Sequence, residues 1–202
     1  MPQHEGKDVQ DSGMVREAET FLKTVSTAMD KYETRSSQAK LLVACALNIE
    51  NGGILMAEAG TGTGKTYAYL IPIIVSGKKA IVSTKTLNLQ DQIVSKDLEF
   101  LKQLRGFSYA IAKGRTHYLC LRRFNAFDSD DKEDIIEHKK LGTWVSNTKT
   151  GDFEDFDRKI SSIKDRICSD SDACKSNKCN YYGQCFYYRA RRRWEDAQII
   201  VA

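Results

Sequence analysis

Apolar strands and amphipathic helices alternate over residues 14–113, which predicts an α/β fold built on a parallel sheet. Three observations carry that expectation. A glycine-rich loop, Ala59-Gly60-Thr61-Gly62-Thr63-Gly64-Lys65-Thr66, lies between a short apolar strand and an apolar helical run. Two further apolar strands follow at βα spacing. A cysteine-bearing stretch of different character then interrupts the pattern, before one more apolar strand resumes it at residues 198–202.

Taken in order, residues 1–13 are polar and mixed in charge, and read as a disordered leader. Val15, Ala18, Phe21, Leu22 and Val25 stand at helical spacing and predict a helix over about 14–31. A second helix is expected over 36–50, with Leu41, Leu42, Cys45, Ala46 and Ile49 on one side and Ser36 or Ser37 as its cap. Cys45 reads as a buried structural thiol. Gly53–Ala57 is the first expected strand and Tyr67–Val75 the helix after the glycine loop. Lys79–Thr84 is the second strand, and Leu87–Leu104 a long amphipathic helix carrying Leu89, Ile93, Leu98 and Leu101. Ser108–Ala112 is the third strand. A buried parallel sheet with helices on both faces follows. Residues 126–166 are charge-rich and helical, and read as an inserted subdomain rather than more sheet.

Composition narrows the class. The chain has 202 residues, 41% hydrophobic and 29% charged, which is ordinary for a globular protein. A net charge of +4 says little by itself about nucleic acid. No apolar run approaches the ~20 residues of a membrane span, and Met1–Gly13 lacks the apolar core of a secretory signal. A cytosolic location is expected, so the six cysteines are not expected to pair as disulfides. The two prolines, Pro2 and Pro72, form no linker, and no internal repeat is visible.

The loop at 59–66 reads as a phosphate cradle. Small residues let successive backbone N–H groups turn onto one anion at a helix N-terminus. Lys65 is placed to reach the β- and γ-phosphates, and the Thr66 hydroxyl to ligate Mg²⁺. Ala59 replaces the first glycine of the general pattern, a mild change because alanine is still small.

Cys174, Cys179 and Cys185 follow C-x4-C-x5-C, with Cys120 and Cys168 upstream. Soft thiolates from one insertion suit an iron–sulfur cluster or a zinc ion. The wide spacing and the lack of a C-x2-C knuckle weigh toward the bulkier cluster. Unrelated thiols are the remaining alternative. Just beyond, Tyr181, Tyr182, Phe186, Tyr187 and Tyr188 interleave with Arg189, Arg191, Arg192 and Arg193. The arginines read as phosphate contacts on DNA or as a solvated helix face. Each aromatic, taken singly, reads better as packing than as a stacking platform for bases.

From about Tyr32 to Ala202 these residues resemble the iron–sulfur superfamily 2 DNA helicases, the XPD-like group, and most of all its bacterial DinG/YoaA branch. Arg35-x-x-Gln38 resembles the adenine-reading Q motif, and Glu58–Thr66 resembles motif I, where alanine at the first position is usual. Ser83-Thr84 with Leu87-x-x-Gln90-Asp91-Gln92 resembles the strand-touching motif Ia. Lys113-Gly114-Arg115-x-x-Tyr118-x-Cys120 resembles the opening of the cluster domain. The resemblance implies a RecA-like motor domain, ATP with Mg²⁺, and 5′→3′ unwinding of single-stranded or forked DNA by a monomer. It implies one [4Fe–4S] cluster on Cys120, Cys174, Cys179 and Cys185; Cys168 has no counterpart in that pattern. Nucleotide contacts carry over to Arg35, Gln38 and residues 59–66, with Lys65 and Thr66 in catalytic roles. The resemblance implies DNA contacts at Thr84 and Gln90 of motif Ia; Arg115 and the four arginines are further candidate DNA contacts.

The organisation expected is a leader at 1–13, the first part of the motor domain at 14–113, the cluster insertion at 114–195 and a returning strand at 196–202. The family's later elements do not occur in these residues: the Asn-His turn, arch domain, D-E-A-H box and second motor domain. The sequence therefore reads as a truncated N-terminal part, inactive alone, with an incomplete sheet. The competing reading is a truncated, non-catalytic iron–sulfur module that binds single-stranded DNA or a partner. A small-molecule P-loop kinase fits less well, since it does not explain the cysteines and the arginine run.

Overall fold

The structure is a computed structural model that describes residues 12–30, 32, 33, 35–157 and 162–202. Nearly all of the expected leader and residue 31 of the first expected helix lie outside the described residues. The chain divides into two compact units, Met1–Tyr109 with Ala197–Ala202, and Ala110–Asp196.

In the first unit α1 (Gly13–Ala28) begins on Ser12, assigned above to the leader. The Ser12 hydroxyl accepts the Val15 N–H at 3.1 Å and donates to Glu50 at 2.6 Å. Its inner face is Val15, Ala18, Phe21 and Val25, the helical spacing seen in the sequence. α2 (Ser36–Asn51) buries Gln38, Leu42 and Ala46, and stops at Gly52. Neither Ser36 nor Ser37 caps it: Arg35 stands at the cap without a side-chain bond, and both serines are already inside the helix. Cys45, expected to be buried, is partly exposed. α3 (Lys65–Ser76) starts on Gly64 and ends on Gly77, both with positive φ.

β1 (Ala80–Val82) pairs in parallel with β3 (Ile199–Val201), Ala80 facing Ile199 and Val82 facing Val201. The sheet order is β1-β3-β2, with β2 at Tyr109–Ile111. Gly53–Ala57 is not a strand. Apolar character does not make one without a neighbour to complete the ladder, and none reaches this segment among the described residues. Ile54 and Met56 are 93% and 91% exposed. Nor is the sheet covered throughout on both faces, since Ile81 of β1 is 70% exposed.

The helical run over 87–104 is broken by a wider turn. α4 (Leu87–Gln92) and α5 (Glu99–Leu104) flank a π-helical turn at Ile93–Leu98. The buried positions explain it: Ile93 and Leu98 are five residues apart, and a π turn brings i and i+5 to one side where an α turn does not. Leu89, expected on the inner face, is 47% exposed, and Gln90 takes its place.

The second unit is mostly helical: α6 (Leu121–Asn125), α7 (Lys132–Asn147), α8 (Lys164–Ile167) and α9 (Phe186–Asp196). Asp131 caps α7 through the Glu133 and Asp134 N–H groups. Two isolated antiparallel bridges, Tyr118–Asp152 and Leu119–Cys168, tie its start to its middle. Around them pack Phe124, Leu141, Phe153, Ile163, Ile167 and Phe186. No described helix in either unit is long and apolar enough to cross a membrane.

Candidate nucleotide loop and cysteine pocket

The glycine loop owes its shape to backbone freedom at two points. Gly62 and Gly64 take φ of 74° and 78°, which side chains other than glycine rarely tolerate. Gly64 is also crowded: a Cβ there would lie 2.2 Å from Gln38 Nε2. Gln38, only 3% exposed, donates to the Gly64 carbonyl at 3.0 Å and accepts from the Tyr32 hydroxyl at 2.5 Å. Arg35 donates to the Gly62 carbonyl and pairs with Glu33 at 3.0 Å. The two residues carried over as nucleotide contacts thus meet the loop itself. Tyr32 had no signal in the sequence and is found only from the fold.

Lys65 folds back onto its own loop, donating to Ala59 O at 2.8 Å and Gly60 O at 2.5 Å. Its ammonium is satisfied by these two backbone carbonyls. The Thr63 hydroxyl donates to Gly60 O at 3.0 Å. Thr66, on the first turn of α3, lies close to Tyr69. Tyr67 lies beside Asp97 of the π-helical turn. Burial and that carboxylate push the Tyr67 phenol up to about 12, and burial pushes Asp97 above the usual carboxylate range.

In the second unit Cys120, Cys174, Cys179 and Cys185 line one pocket with Tyr181, Tyr182 and Tyr188. Cys168 stays out of it, 4% exposed in the core, with its sulfur against Asp165 O at 3.6 Å. Short 3₁₀ turns at Ser176–Lys178 and Tyr182–Gln184 deliver Cys179 and Cys185. Burial alone would raise the Cys174 thiol. The Ser176 N–H, 3.4 Å from the sulfur, and the Arg115 guanidinium outweigh it and hold Cys174 below its usual value. Burial raises Cys185, and the Cys120 and Cys174 sulfurs add to the effect. The thiols converge without closing: among the described residues no three Cys, His, Asp or Glu side chains are grouped tightly enough to hold a metal ion.

The residues matched to DNA contacts fare differently. Arg189, Arg192 and Arg193 share one exposed side of α9, and Arg191 is exposed on another. Arg115 is engaged inside the unit, its guanidinium 4.2 Å from the Tyr187 ring centre and 3.3 Å from Asp170 O. Gln90 is 2% exposed and donates to Val201 O at 2.9 Å, so it braces the sheet instead of facing solvent. The Thr84 hydroxyl, on the exposed side, contacts the Thr86 and Ala202 carbonyls.

The chain is 38% identical over 178 residues to the ATP-dependent DNA helicase YoaA of Haemophilus influenzae, covering 84% of this chain and 28% of the relative. It is 31% identical over 209 residues to the ATP-dependent DNA helicase DinG of Escherichia coli, covering 90% and 29%. A protein named 3′-5′ exonuclease DinG from Bacillus subtilis is 34% identical over 190 residues, covering 89% and 20%. The chain thus spans less than a third of the length of these relatives. Residues 35–135, which include the nucleotide loop, its Gln38 and Arg35 braces and the small parallel sheet's β1 and β2, match the DEAD/DEAH box helicase family, and the chain belongs to it.

Proposed function

We propose that the chain is the nucleotide-binding and cluster-bearing part of an ATP-dependent DNA helicase that unwinds 5′ to 3′. The observation that carries the finer part of this reading is the pocket gathering Cys120, Cys174, Cys179 and Cys185 while Cys168 lies outside it. Four sulfur donors, three of them within one twelve-residue stretch, suit a [4Fe–4S] cluster by chemistry. Such a cluster, when bound, supplies a rigid cross-link and a one-electron centre. The remaining work falls to side chains of the chain itself. The N–H groups of residues 60–66 take the phosphates, Lys65 neutralises them, and Thr66 offers its hydroxyl to Mg²⁺. Arg189, Arg192 and Arg193 pair with successive phosphates of a single strand.

Residues 1–202 contain no D-E-A-H sequence. The acid that holds Mg²⁺ and the arginines that stabilise the transferring phosphoryl group are not among them, so these residues alone bind ATP without multiple turnover. In that state they act as a binding module, the second reading made from the sequence.

Protein prepared anaerobically should be brown, carry about four iron per chain, and bind ATP–Mg²⁺ and single-stranded DNA. Stoichiometric zinc without iron would overturn the cluster. DNA-stimulated ATPase activity that co-purifies with the chain and vanishes in Lys65→Ala would overturn the inactivity.

A further inference from the structure

One group of buried charges is used by none of the chemistry above. Lys113 and Asp152 pair at 2.7 Å with side chains only 7% and 10% exposed. Glu154 also accepts from Lys113, and His117 lies 3.6 Å from Glu154. Asp152 accepts the Glu154 N–H at 3.0 Å, so its carboxylate shapes the turn that carries it. Backbone bonds hold the same place: Tyr118 bridges Asp152, and the Leu119 N–H donates to Gly151 O at 2.8 Å.

This cluster fixes Gly151, and Gly151 receives Phe186. Gly151 has φ of 64°, and a Cβ there would lie 2.1 Å from Phe186 Cγ. No other residue allows the ring so close. Phe186 is the first residue of α9 and follows Cys185 directly; the helix opens with Arg189 N–H on Cys185 O at 2.9 Å. Further along, the Tyr187 ring packs on Tyr118 with centroids 5.9 Å apart, and Trp194 Nε1 donates to Ile111 O at 2.7 Å. Tyr187 and Trp194 lie across α9 from Arg189 and Arg192, while Phe186 anchors the start of the ridge that carries Arg189 and Arg193.

We propose that Lys113, Gly151 and Asp152 are positioning residues for α9, setting the rotation at which its arginines meet a nucleic-acid strand. The Lys113–Asp152 pair locks the turn, the turn presents Gly151, and Gly151 seats Phe186. The orientation of α9 is thereby built into the polypeptide and does not depend on the cluster alone. The inference rests on the proposed reading of α9 as a DNA-binding helix.

The test uses the whole chain, prepared anaerobically, and an oligo-dT strand titrated over a series of salt concentrations. Gly151→Ala should keep the wild-type iron content and visible spectrum. Its affinity should fall severalfold, and the slope of log affinity against log salt should flatten by about 0.7 for each arginine that loses its phosphate. Lys113→Met should do the same, because it leaves Asp152 buried without its partner. Lys113→Arg should restore the wild-type slope. Should Gly151→Ala or Lys113→Met fail to fold, Phe186→Leu unseats the ring more gently and should flatten the slope with iron intact. A variant set that lowers only the melting temperature, with affinity and slope unchanged, overturns the proposal. So does a loss of iron in step with the loss of DNA binding, which would make the cluster the device that aims α9. Wild-type protein that binds no oligo-dT sinks the DNA reading of α9 itself, and this proposal with it.

Discussion

The loop at residues 59–66 would, on the proposed reading, bind through peptide N–H groups, whereas the cysteine pocket would bind through side-chain sulfurs. The difference decides how complete each site is without its guest. Backbone donors are aimed by φ and ψ, and here Gly62 and Gly64 supply the angles while Arg35 and Gln38 brace the carbonyls on the far side of the peptides. Sulfurs are aimed by side-chain rotation and by loops, and four of them line one pocket without reaching metal-holding distance. A site made of backbone is set by folding. A site made of thiols is gathered by folding and closed by what it binds.

The largest effect expected from this contrast lies in the thiols. Serine at any one of Cys120, Cys174, Cys179 or Cys185 should abolish the colour and most of the iron, because the pocket offers no spare sulfur. Cys168→Ser should keep both, since its sulfur is buried elsewhere. Iron analysis and visible absorption decide it. Colour lost in Cys168→Ser and kept in Cys120→Ser would reverse the ligand assignment.

Nucleotide binding should show smaller and graded losses. Lys65→Ala removes a charge-assisted contact of about 1.5–3 kcal/mol per bond, roughly a tenfold to hundredfold loss in affinity for ATP–Mg²⁺. Gly64→Ala should weaken binding comparably, because the added methyl meets Gln38 and the residue has positive φ. Gly60→Ala should be close to neutral: its Cβ would find nothing nearer than Thr63 Cγ2 at 4.0 Å. Equal affinities for the Gly60 and Gly64 variants in a titration would show that the loop is not shaped by its glycines.

The same contrast explains what the sequence disclosed. Residues 59–66 were legible because phosphate chemistry demands glycine at fixed places, and helices α1, α2 and α3 because their inner faces repeat at helical spacing. The strand expected at Gly53–Ala57 was misread since strand formation depends on a neighbour that local sequence does not show. Gln90 looked like a polar residue on a strand-touching helix, yet its amide is bonded to Val201, 111 residues away. The π turn was missed although its trace was present: Ile93 and Leu98 are five residues apart, a step that helical periodicity at three and four passes over. Lys113 and Asp152 sit 39 residues apart, and nothing local to either predicts that they meet in the core.

The smallest effect expected concerns the ground on which the nucleotide loop stands. Asp97, on the π turn, faces Tyr67 and lies behind the helix that begins at Lys65. Burial raises its proton affinity in the folded state; Tyr67 and Lys96 only partly offset that. A carboxylate whose folded pKa exceeds its unfolded one contributes stability below the unfolded value, and that contribution is lost as pH rises through the folded value. At neutral pH, therefore, the ionised Asp97 weakens the first unit. Asp97→Asn imitates the protonated carboxyl beside Tyr67. Its melting temperature should exceed that of the wild type at pH 7.5, and the gap should close as the pH is lowered through the carboxylate range toward pH 4. Iron content should be the same in both proteins, because Asp97 belongs to the unit that holds no thiol of the pocket. A gap that stays constant with pH would mean that Asp97 is solvated in both states, and that the π turn does not bury a charge behind the loop.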